Sequence, residues 1–154
     1  MKFDKAYVIG SEKIFKKRLD NFFKKNHLKN KNIQIWEAIN GADVNISKYQ
    51  ELNYLSDDFE VKMPGSLGCL LSHLTLWNHC LEDKNCNIAL ILEDDVILKN
   101  NFEELVDNID ESALPIDWTI LRLSYKGLIG KNISDHIVKP DCIKKRGVNA
   151  GSWC

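Results

Sequence analysis

The stretch NIALILEDDVILKN, Asn87 to Asn100, sets three consecutive acids in the middle of an apolar run. Ile88 to Leu92 is short and apolar throughout, which reads as a buried strand. Glu93, Asp94 and Asp95 follow at its carboxyl end, and Val96 to Leu98 is apolar again. Neighbouring like charges repel, and carboxylates beside a buried strand are costly unless a cation offsets them. The fold class turns on what surrounds this strand, and the chemistry turns on that cation.

Immediately upstream, PGSLGCLLSHLTLWNHCLED (Pro64 to Asp83) carries the strongest helical periodicity of the chain. At about 100° per residue, Leu67, Leu70, Leu71, Leu74, Trp77 and Leu81 share one face. Cys69, Leu76 and Cys80 widen the apolar arc, so a helix buried on two sides is expected, with Trp77 in the core. Earlier, AYVIG (Ala6 to Gly10) reads as a buried strand closed by a turn residue. Ser11 then stands where it can cap a helix in which Phe15, Leu19, Phe22 and Phe23 recur at helical spacing. NIQIWEAI (Asn32 to Ile39) alternates as a second strand and stops at the Asn40–Gly41 turn. A polar segment with weak helical character runs from there to Lys62. Downstream, Phe102 to Ile109 reads as a helix, WTILRLS (Trp118 to Ser124) as a strand, and a weaker strand lies around Ile137. Strand and helix alternate, which predicts an α/β fold around a mostly parallel sheet.

The 154 residues suffice for one domain with a sizeable core, and 44% hydrophobic with 28% charged residues is the composition of a globular protein. No stretch approaches the roughly 20 apolar residues that span a bilayer. The apolar run near the N-terminus is too short for a signal peptide, so a cytoplasmic protein is expected. Five cysteines (Cys69, Cys80, Cys86, Cys142, Cys154), an odd number without a CxxC pair, argue against a disulfide framework and against a zinc site. Net charge is −1 but uneven: residues 1–31 carry +7 and the remainder −8. That basic segment is either a solvated helix face or a weak attractor for anionic lipid, giving peripheral contact with the inner membrane face. Nucleic acid is not expected as a partner, because aromatic residues do not interleave with these lysines as a stacking surface needs.

Ligands of α/β sheets bind beyond the carboxyl ends of the strands, where the acidic triplet stands. A divalent metal ion is the expected cation. Carboxylates are the donors hard cations prefer, and Mg²⁺ or Mn²⁺ keeps positions open for substrate phosphates. The alternative is a solvated turn with spare acids. A phosphorelay receiver domain is rejected, because Lys139 and Pro140 fall where its phosphoacceptor Asp should be. A haloacid-type phosphatase is rejected too, because no Thr follows the acids as its D-x-D-x-T requires. There remains a sugar-nucleotide transferase of the GT-A type, in which a short acidic motif ends a central strand.

Gly68, Cys69, Ser72, His73 and Trp77, followed by Leu92, Glu93, Asp94 and Asp95, resemble the central block of glycosyltransferase family 25. That family serves bacterial lipopolysaccharide and lipooligosaccharide biosynthesis, includes β-galactosyltransferases and is related to the collagen galactosyltransferases. Its pattern is a G-C-x-x-S-H-x-x-x-W helix followed shortly by a strand ending in L-E-D-D. AYVIGSEKIFKKRLDNFF resembles the family's opening strand and helix with its arginine, here Arg18. IWEAING resembles its D-A-x-D-G segment, with Glu37 and Asn40 in place of the two acids.

The resemblance covers nearly the whole chain and implies a GT-A-like, Rossmann-related sheet flanked by helices. Residues 1–154 would form one domain, the nucleotide-sugar-binding portion of such an enzyme. The implied reaction moves a hexose, galactose first, from a UDP-hexose donor to a saccharide acceptor of the lipooligosaccharide core, with Mn²⁺ or Mg²⁺. Asp95 is the first candidate for metal coordination, Asp94 a second ligand or a partner of the nucleotide ribose, and Glu93 the third. Alternation out of a strand end lets only two of these three share a pocket. Ser72 and His73 are candidate donor-pocket residues. Against that stand a Ser72 bonded to its own backbone and a His73 bonded to backbone within the core. Gly65 and Gly68 flank the helix start, where Gly68 serves either ligand approach or packing. Arg18 either contacts the nucleotide or faces solvent. No catalytic base is assigned, and Asp135 and Asp141 are candidates only by default. Family members usually run longer, so the ending GVNAGSWC is expected to be an interruption at the C-terminus. The alternative to an enzyme is then a non-catalytic fragment that at most binds UDP-sugar.

Overall fold

The computed structural model describes residues 1–29, 32–123, 130–134 and 137–140. AYVIG forms β1 (Lys5–Gly10), hydrogen-bonded on one side to β2 (Ile33–Glu37) and on the other to β3 (Ala89–Glu93). Both ladders are parallel, with Val8 between Ile35 and Leu92 and Ile9 between Trp36 and Glu93. A strand covered on both faces is apolar at successive rather than alternate positions. Ala6, Tyr7, Val8 and Ile9 are accordingly all buried.

Parallel neighbours need crossovers, which the helices supply. α1 (Lys16–Lys25) leads from β1 to β2 and sets Phe22 against Ala6, Val8, Leu90 and Leu92 on one sheet face. After β2 come a 3₁₀ turn (Gly41–Asp43), the short α2 (Ile46–Glu51) and the long α3 (Pro64–Glu82). Leu76 of α3 covers Tyr7 and Ile9 on the opposite face. The first half of α3 joins Leu67 and Leu71 to Leu55, with Ile46 and Tyr49 of α2 packed alongside. α4 (Phe102–Asp107) follows β3 and returns Phe102 to the α1 face. The sheet order β2-β1-β3 means that the chain leaves β1 toward one side and crosses it to the other. The topological switch point therefore lies between β1 and β3, at their carboxyl ends, where ligands of doubly wound sheets bind.

Two details depart from the sequence reading. Ser11 caps a turn rather than a helix: its Oγ accepts from the Ile14 N–H at 3.0 Å and donates to Glu37 Oε1 at 2.7 Å. Glu37 thus holds Ser11 at the strand end, and α1 begins only at Lys16, without a side-chain cap. In α3 the buried residues are Leu67, Gly68, Leu71, Ser72 and Leu76, while Trp77 is half-buried and Leu81 is 85% exposed. The buried stripe is displaced about a third of a turn from the leucine face, because the helix makes its closest approach through a glycine and a serine.

Asn26, buried just after α1, carries a role that no motif announced. Its Nδ2 donates to the carbonyls of Phe22 (3.0 Å) and Val96 (2.9 Å), and its Oδ1 accepts from the Leu98 N–H at 2.7 Å. One side chain thereby pins the segment that follows the acidic triplet. Asn26→Ala strands those backbone groups and is expected to lower unfolding free energy by about 2 kcal/mol in urea titrations.

Two compact units are distinguished, one of residues 2–107 and a second that holds Met1 and the described residues after Asp107. Its described residues include a 3₁₀ turn (Glu111–Ala113) and an antiparallel hairpin of β4 (Gly130–Ser134) and β5 (Ile137–Pro140). β5 is the weak strand expected around Ile137. WTILRLS forms no strand over residues 118–123, and Ser124 lies outside the described residues. Ile120 and Leu123 are exposed while Trp118 and Leu121 are half-buried, so burial rewards the β-propensity of that run only in part. No described helix is long and apolar enough to cross a membrane. Cys69, Cys80 and Cys86 are free thiols, and burial, with Cys86 beside it, pushes Cys80 up to about 11. Cys142 and Cys154 lie outside the described residues.

Candidate functional site

β3 ends at the switch point, and its alternation decides where each acid goes. Ala89 and Ile91 face α3, so Glu93 continues on that side; Leu90 and Leu92 face α1, and so does Asp94. Gly10, at the end of β1, allows this crowding. A Cβ there would overlap the Leu19 side chain and come within 3.3 Å of Asp94 Cβ. With no side chain at that position, Leu19 of α1 and Asp94 both pack close against the end of β1.

Arg18 of α1 answers the question of the cation. Its Nη2 lies 2.5 Å from Asp94 Oδ1 and 3.3 Å from Asp95 Oδ2. The Asp94 side chain is 9% exposed and that of Asp95 66%. Burial pushes the Asp94 carboxyl above the ordinary carboxylate range, while the Arg18 charge opposes that shift. Arg18 is thus an ion-pair partner, not a bystander in a lysine-rich face. Its guanidinium also lies 5.7 Å from the centre of the Phe15 ring.

Glu93 goes the other way and stands 3.9 Å from His73 Nε2. His73 Nδ1 lies 3.0 Å from the Cys69 carbonyl, which can only accept, so the ring donates there. Ser72 is 1% exposed; its Oγ donates to the Gly68 carbonyl at 2.6 Å and accepts from the Ile39 N–H at 2.8 Å. Gly68 meets the chain after β2 directly: a Cβ would overlap the Ile39 carbonyl and fall 2.7 Å from Gly41 N. Asp94 and Asp95 are thus brought together, while Glu93 and His73 form a separate pair and Ser72 joins two backbones. Among the described residues, no three His, Cys, Asp or Glu side chains converge as a metal-holding group. Asp135 and Asp141 lie outside the described residues.

A groove of about 390 Å³ opens beyond the carboxyl end of β2, lined among others by Lys13, Glu37, Asn40, Asp43, Lys48 and Tyr49. Its floor is fixed by polar bonds. Glu37 accepts from Ser11 Oγ and, at 3.3 Å, from the Glu12 N–H. Asn40 Oδ1 accepts from the Ala42 N–H at 3.2 Å, and its Nδ2 donates to Asp43 Oδ2 at 2.7 Å. Glu37 and Asn40 were visible as motif positions. The lysines were not, because Lys13 and Lys48 are far apart in sequence and meet only through the fold.

A parallel α/β sheet with an acidic motif at its switch point is consistent with a Rossmann-like glycosyltransferase fold. The model of glycosyltransferase family 25 (LPS biosynthesis protein) matches residues 3–151, and the chain belongs to that family. It is 28% identical to human procollagen galactosyltransferase 2 over 137 residues, which are 82% of this chain and 21% of that protein. It is 39% identical over 87 residues to a procollagen lysyl hydroxylase and glycosyltransferase of Acanthamoeba polyphaga mimivirus, half of this chain and 10% of that one. Over 47 residues it is 43% identical to the lipooligosaccharide biosynthesis protein lex-1 of Haemophilus influenzae, 30% of this chain and 15% of that protein. The chain therefore spans about a fifth or less of the length of these relatives. No solved structure matches it.

Proposed function

We propose that the chain carries the donor-binding centre of a GT-A-like hexosyltransferase. It would take UDP-galactose or a similar UDP-hexose and serve a saccharide acceptor of lipooligosaccharide. The supporting observation is the placement of Asp94 and Asp95 side by side at the β1/β3 switch point, on one shared cation. Mg²⁺ and Mn²⁺ are bound through one or two carboxylates plus substrate phosphates, so this pair fits such an ion. Asp95, the more exposed, would be its principal ligand and Asp94 the second. The ion when bound would offset charge on the departing nucleotide diphosphate.

The chain's own groups supply the rest. The groove beside Glu37 and Asn40 offers polar and apolar walls of the size a nucleoside occupies. Lys13 and Lys48 share that groove with Glu37 and Asp43, so its lining offers a ligand both donors and acceptors. Glu93 lies on the α3 side, 3.9 Å from His73 Nε2, and so stands apart from the pair.

Calorimetric titration with UDP, with and without Mn²⁺, tests this reading. Binding is expected to be at least about tenfold tighter with the metal, and radiolabelled UDP-galactose should label a glucose- or lactose-terminated acceptor. UDP binding that ignores Mn²⁺ would remove the metal site. Metal-dependent binding without transfer would leave the non-catalytic, donor-binding alternative.

A further inference from the structure

We infer that Arg18 is a built-in counter-cation of the acidic motif: a positioning residue that holds Asp94 and Asp95 while no ligand is bound and yields them to a divalent cation. This rests on the metal-site reading above and adds a competitor to it.

Three observations carry it. First, one guanidinium nitrogen touches both carboxylates, at 2.5 and 3.3 Å, so the place where a shared metal would sit already holds a positive charge. Second, the two sides of the contact differ in freedom. The Asp94 side chain is 9% exposed and held from below by the Gly10 close approach, whereas that of Arg18 is 49% exposed and has an open way out. Third, the Phe15 ring lies 5.7 Å from the guanidinium, within cation–π range, and offers the arginine a second partner beside the carboxylates.

A buried carboxylate left charged without a partner is costly, and Arg18 offsets that cost at Asp94 while no ligand is bound. Two cations on the same oxygens repel, so Arg18 and the metal exclude one another. Whatever Arg18 contributes to the empty state must be subtracted from metal affinity, and the coupling is reciprocal. Once released, the guanidinium presents a fork of donors that matches a phosphate. Metal and nucleotide diphosphate should therefore reinforce each other's binding.

Mn²⁺ binding followed by electron paramagnetic resonance, without nucleotide, provides the test. Arg18→Gln is expected to bind Mn²⁺ roughly tenfold more tightly than the unaltered protein. It should also lose most of the gain in Mn²⁺ affinity that UDP confers. Arg18→Lys, which keeps the charge but not the fork, should fall between the two and serves if the glutamine variant folds poorly. In EDTA the thermal midpoint of Arg18→Gln should drop, and Mn²⁺ should restore it; a merely structural arginine would show the drop without the rescue. Equal Mn²⁺ affinity in all three proteins overturns the inference and leaves the metal site standing. No Mn²⁺ binding to any of them, even with UDP present, overturns the metal-site reading and this inference together.

Discussion

Replacing Asp95 by alanine is expected to lower transfer from UDP-galactose by roughly 100- to 1,000-fold, the loss of several kcal/mol of charge stabilisation. Mn²⁺-dependent tightening of UDP binding should vanish with it. The fold should hardly respond. The Asp95 side chain is 66% exposed and its contact with Arg18 is the longer of the two, so the stability change should stay within about 0.5 kcal/mol. That separation of readouts makes the variant informative: circular dichroism and the melting midpoint stay put while binding and transfer fall. Asp94→Ala cannot separate them, because its side chain is 9% exposed and its removal strips Arg18 of its nearer partner. Glu93→Gln supplies the contrast. Glu93 stands on the α3 side, 3.9 Å from His73 Nε2, and its amide should retain transfer within about tenfold. A Glu93→Gln loss as deep as that of Asp95→Ala would mean that all three acids act on one cation.

What could be read from the sequence follows from the range of the interactions involved. β1 and β3 were legible because a strand covered on both faces is apolar at every position, and AYVIG and ALIL can satisfy little else. α3 was legible in extent, from Pro64 to its end near Asp83, because proline at the first turn and apolar residues at helical spacing over nineteen residues leave few alternatives. Its orientation was not. Periodicity assigns the core to the leucines, whereas contact with the chain after β2 is made through Gly68 and Ser72, which no hydrophobicity scale rewards. The acidic triplet was legible as a site, yet its partner Arg18 lies 76 residues earlier, and the sequence offered it only as a nucleotide contact or a solvent-facing charge. Asn26 was invisible for the same reason: its acceptors and donor, Val96 and Leu98, lie some 70 residues away. WTILRLS failed in the opposite sense. Its local pattern suits a strand, but residues 118–123 enter no ladder in the described structure.

The glycines where α3 meets the turn after β2 carry the largest expected effect on stability. Gly41 and Gly68 face each other backbone to backbone. A Cβ on Gly41 would overlap the Pro64 carbonyl and fall 2.7 Å from Gly68 N, and one on Gly68 would overlap the Ile39 carbonyl. Backbone cannot swing aside as a side chain does. Alanine at position 68 gains about 1 kcal/mol of helix propensity over glycine, but forcing the two segments apart costs about 3 kcal/mol. The clash wins, and Gly68→Ala should be destabilised by about 2 kcal/mol. Gly41→Ala, with no helical gain to offset it, should lose about 3 kcal/mol. Gly65 is the internal control. It lies in the same first turn with nothing within 4 Å of its Cβ position, and Gly65→Ala should be neutral or stabilised by a few tenths of a kcal/mol. Urea unfolding of the three variants decides the matter. The consequence reaches the site, because the segment displaced by a Cβ at 68 begins with Ile39 and runs directly into Asn40 and Asp43, the wall of the groove beside β2. Gly68→Ala should therefore weaken UDP binding under conditions where the protein is still folded, whereas Gly65→Ala leaves it unchanged. If both variants bound UDP alike, the close approach of α3 would be a matter of stability alone, and the groove would not be where the nucleotide lies.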